Sequence, residues 1–353
     1  MLVYLDQRIR AISQLGHVLG LLARNEAWPG FTCGLSESEY IAINDIIETH
    51  HFSNGWFTKD NIRKSLEAWH LSLQRDDIDK WLSTYNLSDH SNTTKKVGII
   101  CAGNIPLVGL HDVICVLLSG HHALIKLSSS DDKLLPALLQ VLVNFEPAFA
   151  QSFGFVEQKL SGQQAVIATG SNNTSRYFRY YFKDIPHIIR KSRTSVAILD
   201  GTETSEEINA LGSDIFEFFG LGCRNVSKMY LPVGFDINRF FNAIYPFNPI
   251  VNHNKYANNY DYNKAVWLLN QDNLLDNGFI LLKEEKAMAS PTASLYYEYY
   301  TDKVALKKSL KEVADELQCI VGHDDIAFGQ AQCPSLWDYA DGVDTMKFLQ
   351  ELG

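Results

Sequence analysis

KKVGIICAGNIPLVGLHDVICVLLSGHHALIKLSSS, residues 95–130, decides the fold class. KKVGIICAG is a short apolar run suited to a strand buried on both faces. Asn104 then stands as a candidate N-cap, with Pro106 in the first turn of a helix that stops near Gly120, and HALIKLS resumes a strand. A strand, a helix and a strand joined by short connections favour a parallel pair, because a parallel crossover needs an intervening element. The pattern continues downstream. It predicts a helix from about Asp132 to Phe145, a strand QAVIAT, a turn at Gly170 and Ser171, a helix through TSRYFRYYF and a strand near TSVAILD. This is α/β sequence of the doubly wound kind, in which ligands bind beyond the carboxyl ends of the strands. ICAGN, IKLSSS and IATGS all fall at such ends.

Upstream of that stretch the chain reads as mainly helical and closes on NLSDHSNTTKK, whose Asn, Ser, Asp and Thr residues form loops. Its start, MLVYLDQRIRAISQLGHVLGLLARNE, is an amphipathic helix pattern with Asp6, Arg8 and Arg10, not the apolar core and cleavage site of a signal peptide. Residues 97–127 are the most hydrophobic, but Asn104, Pro106, His111, Asp112, Gly120, His121 and His122 interrupt them, so no membrane span is expected. Downstream come a helix over 205–219, the turn GLGC, a strand SKMYLPV and mixed elements to about residue 325. At 353 residues two domains are expected. The reading is a helical region 1–92, a cofactor-binding domain 93–200, a catalytic domain 201–325 and a C-terminal segment 326–353.

With 46% hydrophobic and 20% charged residues, the chain reads as folded throughout. A formal net charge of −10 works against binding to phosphate backbones or anionic membranes, so nucleic acid is not an expected partner. The six cysteines lie far apart, without the close pairings of zinc sites or small disulfide scaffolds, so no metal is expected and a reducing, cytoplasmic compartment fits.

Cys223 has the setting of a nucleophile. FFGLGCRNVSK places it in a sharp turn between helix and strand, where Gly220 and Gly222 permit unusual backbone angles and close approach of a substrate. The alternative is a small core residue. A free thiol has a pKa of about 8.5, so its thiolate needs support, which Arg224 supplies unless it points to solvent. Asn104 is either an N-cap or a donor to the oxyanion formed when a thiolate attacks a carbonyl. Lys126, with Ser128 and Ser129 after it, suits ribose or phosphate groups, or is a surface lysine. Gly170 and Ser171 open a helix whose N–H groups suit a pyrophosphate. No G-x-G-x-x-G follows the first strand, so any dinucleotide is held in another way.

Taken in order, ICAGN, LIKLSS, ATGS and GLGC resemble the strand-end asparagine, lysine-ending strand, glycine-serine turn and catalytic cysteine loop of the aldehyde-dehydrogenase superfamily, over about residues 95–235. Within it the chain is most similar to the LuxC-like acyl-CoA reductases, which the segment FGQAQCPSLWDYADGVDTMKFL also resembles. The resemblance implies two Rossmann-like α/β domains with a helical N-terminal region, and a homo-oligomer. It implies Cys223 as nucleophile and Asn104 in the oxyanion hole, with Ala102, Gly103, Lys126, Ser128, Ser129, Gly170 and Ser171 along the cofactor.

The chain departs from that superfamily at three places. HIIRKSRTS (187–195) replaces the glutamate-leucine-glycine-glycine motif, so the usual general-base glutamate is absent. Ser129 stands where NAD-preferring relatives often carry a glutamate against the ribose, which admits NADPH beside NADH. No clear E-x-F-G-P segment is present. The expected reaction is reduction of an acyl-CoA to an aldehyde. The alternatives are an acyl-phosphate reductase, similar to glutamyl-phosphate reductases, and a non-catalytic interaction protein that keeps the fold. His187 and His253 are candidate proton donors, with structural or exposed roles as the alternative.

Overall fold

The apolar runs that suggested strands are buried. Val97 and Ile99 of β1 (Lys96–Ile100), Ala123 and Ile125 of β2 (His122–Lys126) and Val166, Ile167 and Ala168 of β4 (Ala165–Thr169) are all inaccessible to solvent. The structure, a computed structural model, describes residues 3–87 and 94–352, so the expected boundary at residue 92 lies outside the described residues. The chain forms two compact units, Met1–Lys191 with Ser335–Gly353, and Ser192–Pro334.

In the first unit β1, β2 and β4 join β3 (Phe153–Phe155) and β5 (His187–Arg190) in a five-stranded sheet of order β3-β2-β1-β4-β5. Every pairing is parallel. The chain runs outward from β1 in one direction through β2 and β3, then returns to its other side with β4. That reversal is the topological switch point at which doubly wound sheets bind ligands. Among the described residues four α-helices precede the sheet: α1 (Leu5–Ala23), α2 (Glu37–Thr49), α3 (Lys59–Ser72) and α4 (Arg75–Leu82). Ser36 and Glu39 start α2 with a reciprocal capping box. Leu15, Leu19 and Leu22 of α1 share one apolar cluster with Ile62 and Leu66 of α3, with β1, and with α5 (Leu110–Leu118) and α6 (Leu134–Phe145). α7 (Asn172–Tyr181) follows β4 and is capped by Ser171.

The second unit has the sheet order β11-β6-β7-β10-β9-β8, with β6 (Thr194–Ile198), β7 (Val226–Pro232), β8 (Leu275–Asp276), β9 (Leu281–Glu284), β10 (Ser294–Tyr300) and β11 (Leu317–Val321). All pairings are parallel except β8 with β9. The strand near TSVAILD is therefore β6 of the second sheet, held by β7 and β11 instead of by β5. Its helices are α8 (Ser205–Phe216), α9 (Ile237–Ile244), α10 (Asn254–Leu269) and α11 (Lys303–Glu312). Thr204 and Glu207 form the capping box that starts α8.

The chain then returns to the first unit with α12 (Thr345–Gln350). Leu336, Tyr339, Met346 and Leu349 complete the first unit's core. A buried bidentate pair, Arg190 to Asp112 at 2.6 and 2.9 Å, also holds Thr345 at 3.0 Å. Among the described residues no helix is long and apolar enough to cross a membrane.

Candidate active site

The first unit brings its expected cofactor residues to the carboxyl ends of three adjacent strands. β1 runs into Ala102 and Gly103, both half-buried, and Asn104, which is exposed. A Cβ added at Gly103 would lie 2.7 Å from the Ser128 Cβ and 3.1 Å from that of Ser130. Only glycine lets the end of β1 pass so close to the serine turn after β2. In that turn Ser128 Oγ accepts from the Ser130 N–H at 3.2 Å and the Ser128 carbonyl from the Asp131 N–H at 3.0 Å, while Ser129 is exposed. Lys126 donates to the carbonyls of Glu157, at 3.2 Å, and Gln158, which takes two of its three N–H donors. At the end of β4 the Gly170 N–H donates to the Arg190 carbonyl at 3.3 Å, and Ser171 Oγ accepts from the Thr174 N–H at 3.2 Å as the cap of α7.

Asn104 is not a helix cap. The expected helix start at Pro106 is replaced by a turn over 105–109, and α5 begins at Leu110 with Gly109 at its N-cap. The cause is tertiary: Leu107 adopts a left-handed φ of 62° and gives its N–H to Asp131 Oδ2 at 3.0 Å. Asp131 is 5% exposed, its carboxyl pushed upward by burial, with His50 Nε2 3.8 Å from its other oxygen. The sequence reading missed Asp131; its only signal was an acidic residue directly after the serine run.

Cys223 belongs to the second unit, in the turn between a 3-10 segment (Glu217–Gly220) and β7. Cys223 and Cys333 are exposed, whereas Cys33 and Cys115 are buried. Burial pushes the Cys101 thiol up to about 12, so it stays protonated at neutral pH. The turn is locked by Asn225, which is 2% exposed. Its Oδ1 accepts from the Gly222 N–H at 2.8 Å, and its Nδ2 donates to the carbonyls of Asp214, at 3.1 Å, and Glu217, at 2.9 Å. Ser195 Oγ donates to the Cys223 carbonyl at 2.9 Å.

Phe218, Phe219 and Gly220 all take left-handed φ values, 52°, 57° and 73°. Gly220 thus uses glycine's freedom as expected; Gly222 does not. Arg224 does not reach for solvent: it is half-buried and its Nε donates to the Ala331 carbonyl. The Phe219 ring stacks on His253 with centroids 4.2 Å apart, and His253 Nδ1 accepts from the Tyr256 N–H at 3.4 Å to cap α10. His253 is therefore tied, through Phe219, to the segment that leads into the Cys223 turn. His187, in contrast, is exposed and bonded to the Ile185 carbonyl at 2.9 Å. HIIRKSRTS is divided between β5 of one unit and β6 of the other, with no carboxylate in it.

The sequence profile of the acyl-CoA reductase (LuxC) family matches residues 41–234. Comparison with curated proteins gives no match. The chain is similar to an indole-3-acetaldehyde dehydrogenase, AldA, of P. syringae solved with NAD+ and IAA: 12% identity over 89% of this chain and 71% of that one, TM-score 0.58. It is similar to aldehyde dehydrogenase 21 of Physcomitrella patens, solved with succinate, at 12% identity over 91% and 77%, TM-score 0.56. An oxidoreductase of Marinobacter aquaeolei matches at 10% identity over 91% and 74%, TM-score 0.62. At such identities the likeness is one of fold, that of the aldehyde dehydrogenases.

Proposed function

Because the chain belongs to the acyl-CoA reductase (LuxC) family, we propose that it reduces an acyl-CoA to an aldehyde through a thioester on Cys223. The observation that carries this reading is an exposed thiol in a turn locked by the buried Asn225 side chain. The Cys223 thiolate attacks the thioester carbonyl, and the tetrahedral oxyanion collapses with departure of CoA as its thiolate, which takes up a proton. The family resemblance implies Asn104 as a donor to that oxyanion, and α5 takes its N-cap at Gly109 instead. When bound, the nicotinamide cofactor supplies the hydride that turns the acyl-enzyme into a hemithioacetal anion. That anion expels the Cys223 thiolate and releases the aldehyde.

Three features support a dinucleotide at the first unit's strand ends. Gly103 gives close backbone approach, the Lys126 ammonium and the serine turn offer donors, and the first turn of α7 suits a pyrophosphate. The AldA relative holds NAD+. In this chain the exposed Ser129 hydroxyl brings no carboxylate against a 2′-phosphate, so NADPH is the proposed donor and NADH the alternative. Six free cysteines suit the cytoplasm, and the family resemblance suits a homo-oligomer.

The direction of the reaction follows from the missing general base. HIIRKSRTS offers no carboxylate to activate water, a contribution typically of about 10²–10⁴. Aldehyde oxidation with saturating oxidised cofactor should therefore depend on CoA, whose thiol reclaims the acyl group without such help. Rapid acid formation without CoA would overturn the reductase reading.

A further inference from the structure

Asp214 lies in the last turn of α8 and is fully buried. Its Oδ2 accepts from the Gly329 N–H at 2.6 Å and its Oδ1 from the Ala331 N–H at 2.8 Å. The Ala331 carbonyl accepts from Arg224, the residue after Cys223. The Asp214 carbonyl accepts from Asn225, the residue after that, at 3.1 Å. Asp214, Ala331, Arg224 and Asn225 thus close a ring that joins the Gly329–Ala331 loop to the nucleophile turn.

Stability alone does not account for a carboxylate here. Burial opposes its ionisation and, outweighing the two N–H bonds, pushes it up to about 6; Glu217 adds repulsion, and Arg224 attraction. Since this folded value lies above the unfolded one of about 3.9, protonation favours the fold. The contribution of Asp214 is fully present below the unfolded value and is lost as pH rises through about 6. At neutral pH the ion is kept against that gradient, and what it gains is a pair of acceptors for two N–H groups of one loop.

We infer that Asp214 is a positioning residue for Cys223, seating the Gly329–Ala331 loop that holds the nucleophile turn through Arg224. This rests on Cys223 being the nucleophile. In D214N one of the two N–H groups faces an amide donor, and the loop loses half of its anchor.

The test compares two reactions of the same thiol in the full-length protein, acylation by octanoyl-CoA and alkylation by iodoacetamide, both located by peptide mass spectrometry. Acylation needs the turn's geometry and alkylation only access, and their ratio cancels the thiol's own ionisation. D214N should lower acylation about tenfold or more while alkylation changes by less than about threefold. In the wild type the ratio should fall as pH drops below about 6, where Asp214 protonates, and D214N should lack that fall. Unchanged acylation in D214N, or equal losses in both reactions, overturns the inference. If D214N does not fold, a wild-type ratio constant from about pH 5 to 8 does the same. No acylation of wild-type Cys223 at all would instead remove the nucleophile reading on which the inference rests.

Discussion

Replacing Asn225 with alanine removes three short hydrogen bonds at once, to the Gly222 N–H at 2.8 Å, the Glu217 carbonyl at 2.9 Å and the Asp214 carbonyl at 3.1 Å, beside a longer one to the Ile215 carbonyl at 3.5 Å. A buried group left unpaired costs about 1–3 kcal/mol. The Glu217 and Asp214 carbonyls lie at the buried end of α8, where intrahelical partners are lacking, and each is counted at the lower bound of about 1 kcal/mol. The Gly222 N–H adds a similar amount, for a total of about 3 kcal/mol. At about 2–4 °C per kcal/mol, Tm should fall by roughly 6–12 °C. Asn225→Asp separates the two halves of the side chain. It keeps an acceptor for Gly222 but turns a second anionic oxygen toward two carbonyls, so at neutral pH it should be at least as destabilising as alanine. Differential scanning calorimetry measures the Tm of both variants, and the acylation rate of Cys223 reports the turn. A shift of less than about 2 °C with unchanged acylation would show that Asn225 does not lock the turn.

Asn104→Ala should lower kcat by about 10²–10³, the usual effect of losing one oxyanion donor, and should leave the start of α5 in place, since Gly109 is its N-cap. Steady-state kinetics beside a melting curve checks both halves. His323 bridges Asp200 at 3.0 Å and Glu207 at 3.1 Å, and the bond to Asp200, with that to Glu207 behind it, raises its pKa. A raised histidine stabilises the fold fully below its unfolded value of about 6.5, and this is lost as pH rises through the folded value. Tm measured from about pH 6 upward should fall in the wild type, and more weakly in His323→Gln.

The strands were legible where burial on both faces leaves a continuous apolar run, as in KVGII and AVIAT, and the turn at Gly170 and Ser171 that opens a helix was legible because helix starts are set by local residues. What stayed hidden depends on partners distant in sequence. Pro106 looks like a first helical turn, but Asp131 captures the Leu107 N–H from 24 residues away and delays the helix to Leu110. TSVAILD reads as a strand, yet nothing within it chooses β7 and β11 as neighbours over β5. That Cys223 lies in an exposed turn was legible from GLGC. The groups that hold that turn were not, since Arg224 finds its acceptor 107 residues downstream.

The central claim is a covalent acyl-enzyme on Cys223. Full-length protein incubated with acyl-CoA and no nicotinamide cofactor should gain the mass of one acyl group. Peptide mapping should place it on Cys223, with none on Cys333, the other exposed cysteine, or on the remaining four. Cys223→Ala should gain no mass and lose turnover while keeping its fold. Acyl transfer to Cys333, or full turnover by the Cys223→Ala variant, would contradict the account.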